Sequence, residues 1–434
     1  MNLLEAYKQR LAISEKVYAK SHDGEAMPQF KKIAVAKCLE NVNKFINEAF
    51  DNSVGTQRAD LGAWKKFTLN LVNVALPDLI AFDLVIVQPM SSITGYIAYV
   101  KYTAGTNKGA TQRGHVFNDP FRLGEVDVNY TSQAVVENFT GDGSNRVFTV
   151  AWTPLLNVAK VTVAGVAVAE TDITVDTAAG TVTLANAPAA SAEVKIAYTY
   201  DNVYIPQNDL PLLNAEMAGI TLQAKARRIA IYYSQIANYQ AKTDYGFDLG
   251  NDLAKQAVGQ LNYEIDTEVV NLLVDNAASN ENLVWSKTLP VGVSKMEHYE
   301  GFLEVVATGK QIIYDRTKRY SPNYMIVASN VMPVISMIKT FKASPATDHN
   351  GPYFAGTLDG LKVFVSPSIA PGTFVFGVNG NDLRTSAAVY APYMPVVPTM
   401  LLGYADGGMS QGFSTMYDLQ ILNKDLLVAG RITA

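Results

Sequence analysis

The chain has 434 residues, of which 48% are hydrophobic and only 17% are charged. This length predicts roughly two to four domains. The low charge predicts that partner subunits cover part of the surface. A net charge of −5 gives no general basic signal for nucleic acid. The single cysteine, Cys38, excludes an intramolecular disulfide framework and cysteine-based zinc sites, and we interpret it as a small buried residue on a helix.

The sequence predicts no membrane segment. The first ten residues include Glu5, Lys8 and Arg10, which do not fit a signal peptide. The longest uncharged run, residues 386–405, contains three prolines that would break a helix repeatedly. We therefore expect a soluble chain that is synthesised in the cytoplasm.

Residues 1–50 predict two helices separated by a break at residues 21–24, with Pro28 near the start of the second helix. Ile33, Lys37, Asn41 and Phe45 fall four apart on that second helix. Each helix alone would bury little surface. We expect an extended helical arm that lies on a neighbouring subunit.

Residues 76–102 predict a buried strand, a fixed turn and a second strand in a new direction. The turn contains Gln88, Pro89 and Gly95, and the second strand covers residues 96–102. Residues 103–114 are rich in glycine and predict an exposed, mobile loop. The alternating residues from 220 to 231 predict a partner for the second strand, and the pair would form a protruding β-arm.

Residues 133–202 are rich in Val, Thr and Ala and predict a small inserted all-β sandwich. One hairpin turns at Ala164-Gly165 and a second at Ala179-Gly180. We interpret Asp142-Gly143 as part of a tight turn, because a calcium loop needs more carboxylates.

The best helical pattern covers residues 249–278, about 45 Å at 1.5 Å per residue. Ser294 and Glu297 fit a capping box at the start of the next helix. From residue 320 the pattern mixes strands and helices, with a helix predicted at residues 331–341. The predicted strands of this region cover residues 324–328, 361–365, 373–378, 387–390, 410–422 and 425–433.

Residues for catalysis are mostly absent. The four histidines share no metal-ligand spacing, and there is no nucleophile elbow or Walker loop. Asp83 lies among apolar residues and is a candidate base, but a structural hydrogen bond or ion pair is the better interpretation. We interpret three basic doublets as solvated surface: Lys31-Lys32, Lys65-Lys66 and Arg227-Arg228. The sequence predicts no enzyme, cofactor or metal site.

Two motifs resemble one protein family. The segment 77–95 resembles T-even-type major capsid proteins of tailed bacteriophages, which have the Hong Kong 97 fold. Val389-Tyr390-Ala391-Pro392-Tyr393 is similar to that family's Tyr-Ala-Pro-Tyr motif. The matching residues of the first motif are Pro77, Leu79, Ile80, Ala81, Phe82, Asp83, Val87, Gln88, Pro89, Met90, Thr94 and Gly95. We expect an assembly or fold role for Pro77, Asp83, Gln88, Pro89, Met90, Gly95, Tyr390, Pro392 and Tyr393.

The resemblance implies an α+β fold of the Hong Kong 97 type with an inserted immunoglobulin-like β-sandwich on the outer surface. Within this fold, residues 76–87 would form the strand that enters the core of the subunit. The implied parts are a helical arm (1–76), a core strand with the ascending β-arm (77–132), the insertion (133–202), the descending β-arm (203–248), a peripheral domain with a long spine helix (249–319) and an axial domain (320–434).

The implied function is assembly of pentamers and hexamers into an icosahedral head shell around double-stranded DNA. The DNA contact would be non-specific, and the implied partners are further copies, a portal, and scaffolding or decoration proteins. Two alternatives stay open. An encapsulin-like compartment protein would lack a surface insertion, and a glycan-binding protein would expose more aromatic side chains.

Overall fold

The structure is a computed structural model that describes residues 3–21, 24–51, 68–77, 79–108, 111–118, 130–201, 203, 210–344, 351–380 and 382–433. Helices and strands are mixed along the chain. The α-helices are α1 (Leu3–Ala6), α2 (Lys8–Ser21), α3 (Gln29–Asp51), α4 (68–75), α5 (Ala81–Leu84), α6 (Gln235–Gln240), α7 (Leu249–Asn276), α8 (Lys295–Glu300), α9 (Phe302–Thr317) and α10 (Met332–Ile335). A π-helix, Ala241–Tyr245, follows α6.

Within the described ranges the strands are mostly antiparallel and fall into five sheets. In the first half of the chain they are β1 (Ile86–Val87), β2 (Thr94–Ala104), β3 (Val116–Asn118), β4 (Ala134–Thr140), β5 (Val147–Thr149), β6 (Leu155–Val163), β7 (Val166–Ala167), β8 (Ile173–Asp176), β9 (Thr181–Leu184), β10 (Glu193–Tyr200) and β11 (Leu213–Gln223). In the second half they are β12 (Lys225–Ser234), β13 (Ala278–Ser286), β14 (Tyr324–Ala328), β15 (Lys342–Ala343), β16 (Tyr353–Leu358), β17 (Leu361–Ser366), β18 (Thr373–Gly377), β19 (Ala388–Pro398), β20 (Leu402–Gly403), β21 (Gly408–Ile421) and β22 (Leu427–Thr433).

The chain divides into two compact units, one of residues 1–97 and 220–434 and one of residues 98–219. The first unit contains a sheet in the order β1-β19-β21-β12, to which β20 adds beside β21. It also contains a seven-stranded sheet in the order β13-β22-β18-β14-β17-β16-β15. One hydrophobic core joins that sheet to α3, α7 and α9, and it includes Leu39, Val269, Phe302 and Phe376.

Helix α3 packs into the core of its own chain. Val35, Cys38, Leu39 and Val42 are fully buried there. The expectation that a neighbouring subunit would cover this helix is therefore wrong for its apolar face. The interpretation of Cys38 as a small buried helical residue is confirmed, and burial raises the pKa of its thiol to about 12.

The segment after Pro77 contains a shorter β-strand than predicted. A turn leads into helix α5, and only Ile86 and Val87 form a strand. Helix α5 buries Phe82 and Leu84, so the apolar residues that predicted a strand are buried on a helical turn instead. An apolar run of this length does not distinguish a buried strand from a buried helical turn.

Helix α7 confirms the strongest helical prediction, with 28 residues from Leu249 to Asn276. The Asp248 carboxylate accepts hydrogen bonds from the N–H groups of Gly250 and Asn251 at its start. The capping box of Ser294 and Glu297 is also confirmed, at the start of α8. The predicted helix at residues 331–341 is reduced to α10 (Met332–Ile335), followed by turns.

In the second unit, a four-stranded sheet (β4-β10-β6-β7) and a three-stranded sheet (β5-β9-β8) share one hydrophobic core. Both predicted hairpins are confirmed, because Val163 pairs with Val166 and Asp176 pairs with Thr181. The tight turn at Asp142 is also confirmed, since its carboxylate accepts the N–H groups of Ser144 and Asn145.

The loop after β2 is less exposed than predicted. Lys108 is buried, and its ammonium group donates hydrogen bonds to the carbonyl oxygens of Tyr130 and Ser132. The same group lies 5.1 Å from the centre of the Tyr200 ring. A buried lysine that satisfies two carbonyl groups ties this loop to the chain around it.

The predicted strand at residues 220–231 has two partners. Strand β11 pairs with β2, as expected for a β-arm. Strand β12 pairs instead with β21, from Lys225 opposite Tyr417 to Ser234 opposite Gly408. The chain therefore changes sheets between Gln223 and Lys225, a change that the alternating pattern does not reveal.

Candidate functional site

The two sequence motifs lie side by side in the structure, about 300 residues apart in the chain. Strand β1 pairs in parallel with β19, with Ile86 opposite Val389 and Val87 opposite Tyr390. The N–H of Gln88 donates to the carbonyl of Tyr390 at 2.9 Å, and the N–H of Met90 donates to the carbonyl of Pro392 at 3.0 Å. We call this arrangement the motif junction: residues 86–90 against residues 389–393.

The two prolines fit the pairing of the motif junction. Pro89 lies between two residues whose N–H groups point toward β19, so its own missing N–H falls on the side that faces away. Pro392 contributes its carbonyl oxygen, which proline retains. Beside them Gly95 lies close to Met90, where an added Cβ would stand 3.1 Å from the Met90 Cε atom.

Asn41 of helix α3 joins both strands of the motif junction. Its side-chain amide donates to the carbonyl of Met90 at 2.6 Å and to the carbonyl of Tyr393 at 3.0 Å. The side chain is buried, so these bonds form away from water. Sequence reasoning placed Asn41 in the helical stripe without a role. The sequence does contain one indication of this role: Asn41 is an amide residue in the stripe expected to be buried, and a buried amide needs hydrogen-bond partners.

Asp83 forms a buried ion pair with Lys31 of helix α3. Lys31 Nζ lies 2.8 Å from Asp83 Oδ1, and the two side chains are 5% and 6% exposed. Lys31 also donates to the Tyr18 hydroxyl at 3.1 Å. Burial lowers the pKa of Lys31, and Asp83 opposes that shift. Burial and the nearby Asp83 raise the pKa of Tyr18.

The ion pair supports the structural interpretation of Asp83 and corrects the assignment of Lys31 to solvated surface. Arg227 is also ion-paired, with its two terminal nitrogens 3.2 Å from Glu264 and 2.6 Å from Glu268 of α7. Lys65 and Lys66 lie outside the described residues. Lys31 and Arg227 therefore each join one element to a helix, Lys31 to α5 and Arg227 to α7.

A polar group next to the motif junction holds the backbone between Asp83 and Ile86. Asn379 donates from its side chain to the carbonyl of Asp83 at 2.6 Å. The Ser386 hydroxyl accepts the N–H of Ile86 at 3.2 Å and lies 3.1 Å from Asn379 Oδ1. Sequence reasoning did not find these two residues, because Asn and Ser are ordinary loop residues.

The remaining motif residues are structural as well. Pro77 is buried next to α4. Tyr390 is fully buried, its ring centre lies 5.4 Å from that of Tyr417, and burial raises its pKa well above the usual value. The Tyr417 hydroxyl donates to Glu268 at 2.5 Å, which connects this sheet to α7.

The histidines do not form a reactive group in the described part of the chain. His298 stacks on Trp285, with ring centres 4.7 Å apart, and its Nε2 contacts the Ser286 carbonyl. His115 packs edge-on against Phe117. His22 and His349 lie outside the described residues. Among the described residues no three His, Cys, Asp or Glu side chains are grouped to hold a metal ion.

None of the helices in the described ranges combines the length and the apolar character needed to cross a bilayer. The singled-out residues join helices and sheets through backbone hydrogen bonds and a buried ion pair. This arrangement defines the class of protein by its fold: a mixed α+β protein.

The chain belongs to the Major capsid protein Gp23 family, whose profile matches residues 61–428. It is 23% identical over 401 residues to the major capsid protein of Vibrio phage KVP40, covering 81% of this chain and 75% of that protein. It is 24% identical over 398 residues to the major capsid protein of Enterobacteria phage T4, covering 81% and 74%. A solved structure from Microbacterium phage Oxtober96 is 11% identical, covers 82% of this chain and 90% of that chain, and has a TM-score of 0.40.

Membership of this family confirms the resemblance found in the sequence. The chain is a major capsid protein of the T4-like phages, a structural component of the virion head and not an enzyme. The glycan-binding alternative is set aside by this result.

Proposed function

We propose that this chain folds as a Hong Kong 97-type subunit and assembles into pentamers and hexamers that close an icosahedral shell around double-stranded DNA. The proposed division is the one implied by the sequence: an N-terminal helical arm, a β-arm, an insertion at residues 133–202, a peripheral domain around α7 and an axial domain from residue 320. Membership of the capsid protein family favours a phage head shell over an encapsulin-like compartment.

The observation that carries the proposal is the exposure of the ribbon formed by β2 and β11. These two strands pair with each other, and among the described residues β3 pairs with β2 at Tyr102 and Thr103. Leu213 is 59% exposed and Met217 is 80% exposed. Away from β3 the ribbon has two strands, and an isolated pair of strands is marginally stable in water. We infer that another copy covers it, so that this ribbon is the arm that joins neighbouring subunits.

The motif junction gives the arm a fixed base. Residues 86–90 are paired with β19 directly before β2 begins at Thr94. A rigid base lowers the entropic cost of ordering the arm when it docks. Many modest contacts of this kind, repeated in every subunit, add up to a stable shell through multivalency. This is the role we propose for Pro77, Asp83, Gln88, Pro89, Met90, Gly95, Tyr390, Pro392 and Tyr393.

Assembly of the purified chain tests the function. We expect sedimentation velocity and negative-stain microscopy to show capsomers or shells, and a chain that stays monomeric at all concentrations would contradict the proposal. Met217→Asp should reduce assembly while leaving the circular dichroism spectrum unchanged. Val166→Asp, at an exposed valine on a hairpin outside the ribbon, is the control and should assemble as the wild type does.

The other partners follow from the same role. A closed shell with DNA inside needs a portal through which the DNA passes, and we propose that the chain meets a portal and scaffolding or decoration proteins. With a net charge of −5, the contact with packaged DNA would be non-specific and made by local basic groups. Salt dependence of DNA retention in assembled shells tests this contact.

A further inference from the structure

We propose that Asn379 is a deamidation site, and that its contacts beside the motif junction protect it in the folded chain. Asn379 is followed by Gly380. In such a pair the glycine nitrogen can attack the side-chain amide carbon of the asparagine, because glycine has no Cβ to obstruct the approach. This chemistry belongs to a single chain and does not depend on the shell function.

The reaction replaces the side-chain amide of Asn379 by a carboxylate. The Gly380 nitrogen forms a bond to Asn379 Cγ, the bond from Cγ to Nδ2 breaks, and the amide group leaves as ammonia with the proton of the Gly380 N–H. Water then opens the cyclic imide at one of its two carbonyl carbons and yields aspartate or isoaspartate. The only co-reactant is water, so the step needs no enzyme or oxidant.

The packing around Gly380 explains why the reactive pair is present. A Cβ atom added to Gly380 would collide with Thr385 Oγ1 and would stand 2.5 Å from Thr385 Cβ. The Gly380 N–H also donates to the carbonyl of Thr385 at 3.0 Å, so the two backbones are in close contact. A bulkier residue at position 380 would slow the reaction, but it would push these backbones apart. The fold therefore requires a glycine at the position that makes Asn379 labile.

The folded chain engages both reacting groups in hydrogen bonds. Asn379 Nδ2 donates to the carbonyl of Asp83 at 2.6 Å, and the Ser386 hydroxyl lies 3.1 Å from Asn379 Oδ1. The attacking N–H is bonded to Thr385, and the N–H of Asn379 itself donates to Asn323 Oδ1 at 2.9 Å. The side chain must leave these partners before it can turn toward its own backbone. The rate in the folded chain should therefore follow the fraction of molecules in which this region is open.

The product would weaken the region that Asn379 now holds together. The new carboxylate is ionised and has no N–H, so the Asp83 carbonyl would lose its donor and face a negatively charged oxygen. Isoaspartate also lengthens the backbone by one carbon, which disturbs the pairing of residue 379 with Ser386. Ser386 in turn accepts the N–H of Ile86 at the start of β1. A chain that stays unfolded for long therefore loses, irreversibly, the ability to close the motif junction fully.

The first test uses the full-length wild-type chain. It is incubated in heavy-oxygen water at mildly alkaline pH, either folded or in guanidinium chloride, and peptide mass spectrometry counts the oxygen incorporated at Asn379. The rate should be at least about tenfold lower in the folded chain. Asn350-Gly351, the second such pair, is the internal reference in denaturant. Equal rates at Asn379 in the two states, or deamidation of Asn350 without Asn379 in denaturant, overturns the proposal.

The second test removes one protecting contact. Ser386→Ala removes the hydroxyl beside Asn379 Oδ1, and the folded chain should then deamidate roughly fivefold faster at Asn379, as expected for the loss of one hydrogen bond. Ser366→Ala is the matched control, because Ser366 is equally buried but bonds to Ser368. Its rate at Asn379 should equal that of the wild type. Equal rates in the two variants contradict protection by the Asn379 contacts.

The third test introduces the product directly. Asn379→Asp should accelerate hydrogen exchange at the amides of Ile86 and Gln88 by at least about tenfold, because the region beside them opens more often. Asn145→Asp makes the same chemical change at an exposed turn, where a carboxylate can still accept the N–H of Val147, and should leave this exchange unchanged. Unchanged exchange in Asn379→Asp would show that deamidation does not affect the motif junction.

Discussion

Lys31 of helix α3 and Asp83 of helix α5 form an ion pair of 2.8 Å that is almost completely buried. Two charges removed from water are stable only when each satisfies the other and the remaining hydrogen bonds are made. Here the Tyr18 hydroxyl accepts a further bond from Lys31. The pair fastens the N-terminal helices to the segment that leads into the motif junction.

Removing one member of this pair should be strongly destabilising. Lys31→Met removes the cation that faces the buried Asp83 carboxylate, and we expect a loss of about 3–5 kcal/mol in the free energy of unfolding. The double variant Lys31→Met/Asp83→Leu should recover part of this loss, because no buried charge remains. Chemical denaturation of the wild type, Lys31→Met, Asp83→Leu and the double variant measures the coupling between the two residues.

Lys32→Met is the matched control for this prediction. Lys32 lies next to Lys31 and pairs with Glu15 at 2.6 Å, but these side chains are 30% and 42% exposed. An exposed pair of this kind contributes about 0–1 kcal/mol. Equal losses for Lys31→Met and Lys32→Met would contradict the claim that burial makes the Lys31–Asp83 pair important.

Asn41 should be needed for the stability of the motif junction. Asn41→Ala leaves the carbonyls of Met90 and Tyr393 without their amide donor. We expect a loss of about 1–3 kcal/mol for such buried groups. Lys44→Ala, on the exposed side of the same helix, should change stability little. Hydrogen exchange at the Met90 amide should also become faster in Asn41→Ala, and unchanged exchange there would argue against a bridging role.

Cys38 should make stability depend on alkaline pH. Its pKa is about 12 in the folded chain against 9.0 for a free thiol, because burial disfavours the thiolate. The folded state therefore keeps a proton that the unfolded state loses, and this contribution to stability declines as pH rises from about 9 toward 12.

The Cys38→Ala variant isolates this effect, because all other titrating groups are shared with the wild type. The difference in unfolding free energy between wild type and variant should shrink by at most about 1.4 kcal/mol per pH unit above pH 9. A thiol reagent at pH 8 should also fail to modify native Cys38 but should modify the unfolded chain. Rapid labelling of the native protein would show that the thiol is accessible.

Residues 133–202 should be dispensable for assembly. Their two sheets share a core of their own, which includes Phe148, Trp152, Val161 and Tyr198. A segment with its own core can be removed without opening another core. We expect the deletion variant, closed with a short Gly-Ser linker, to form particles at the wild-type concentration. Failure to form particles, with the remaining chain folded, would refute the accessory role.

The correct local predictions came from short-range signals. The four-residue spacing from Leu249 onward predicted α7, and Ser294 with Glu297 predicted the start of α8. The turns at Gly165 and Gly180 were predictable because both glycines adopt a positive φ, 82° and 67°. The strand predicted at residues 76–87 was wrong, because a short apolar run fits a buried helical turn equally well.

The sequence by itself determined the long helix α7, the start of α8, the two hairpins and, through the two motifs, the family. Spacing, capping and turn preferences act between residues that are close in the chain, so they can be read directly. Only the tertiary structure decided that Ile86 pairs with Val389, that Asn41 spans both motifs and that Lys31 neutralises Asp83. These contacts join residues 49 to 352 positions apart, and no local pattern encodes which distant strand or charge will fill a given place in the core.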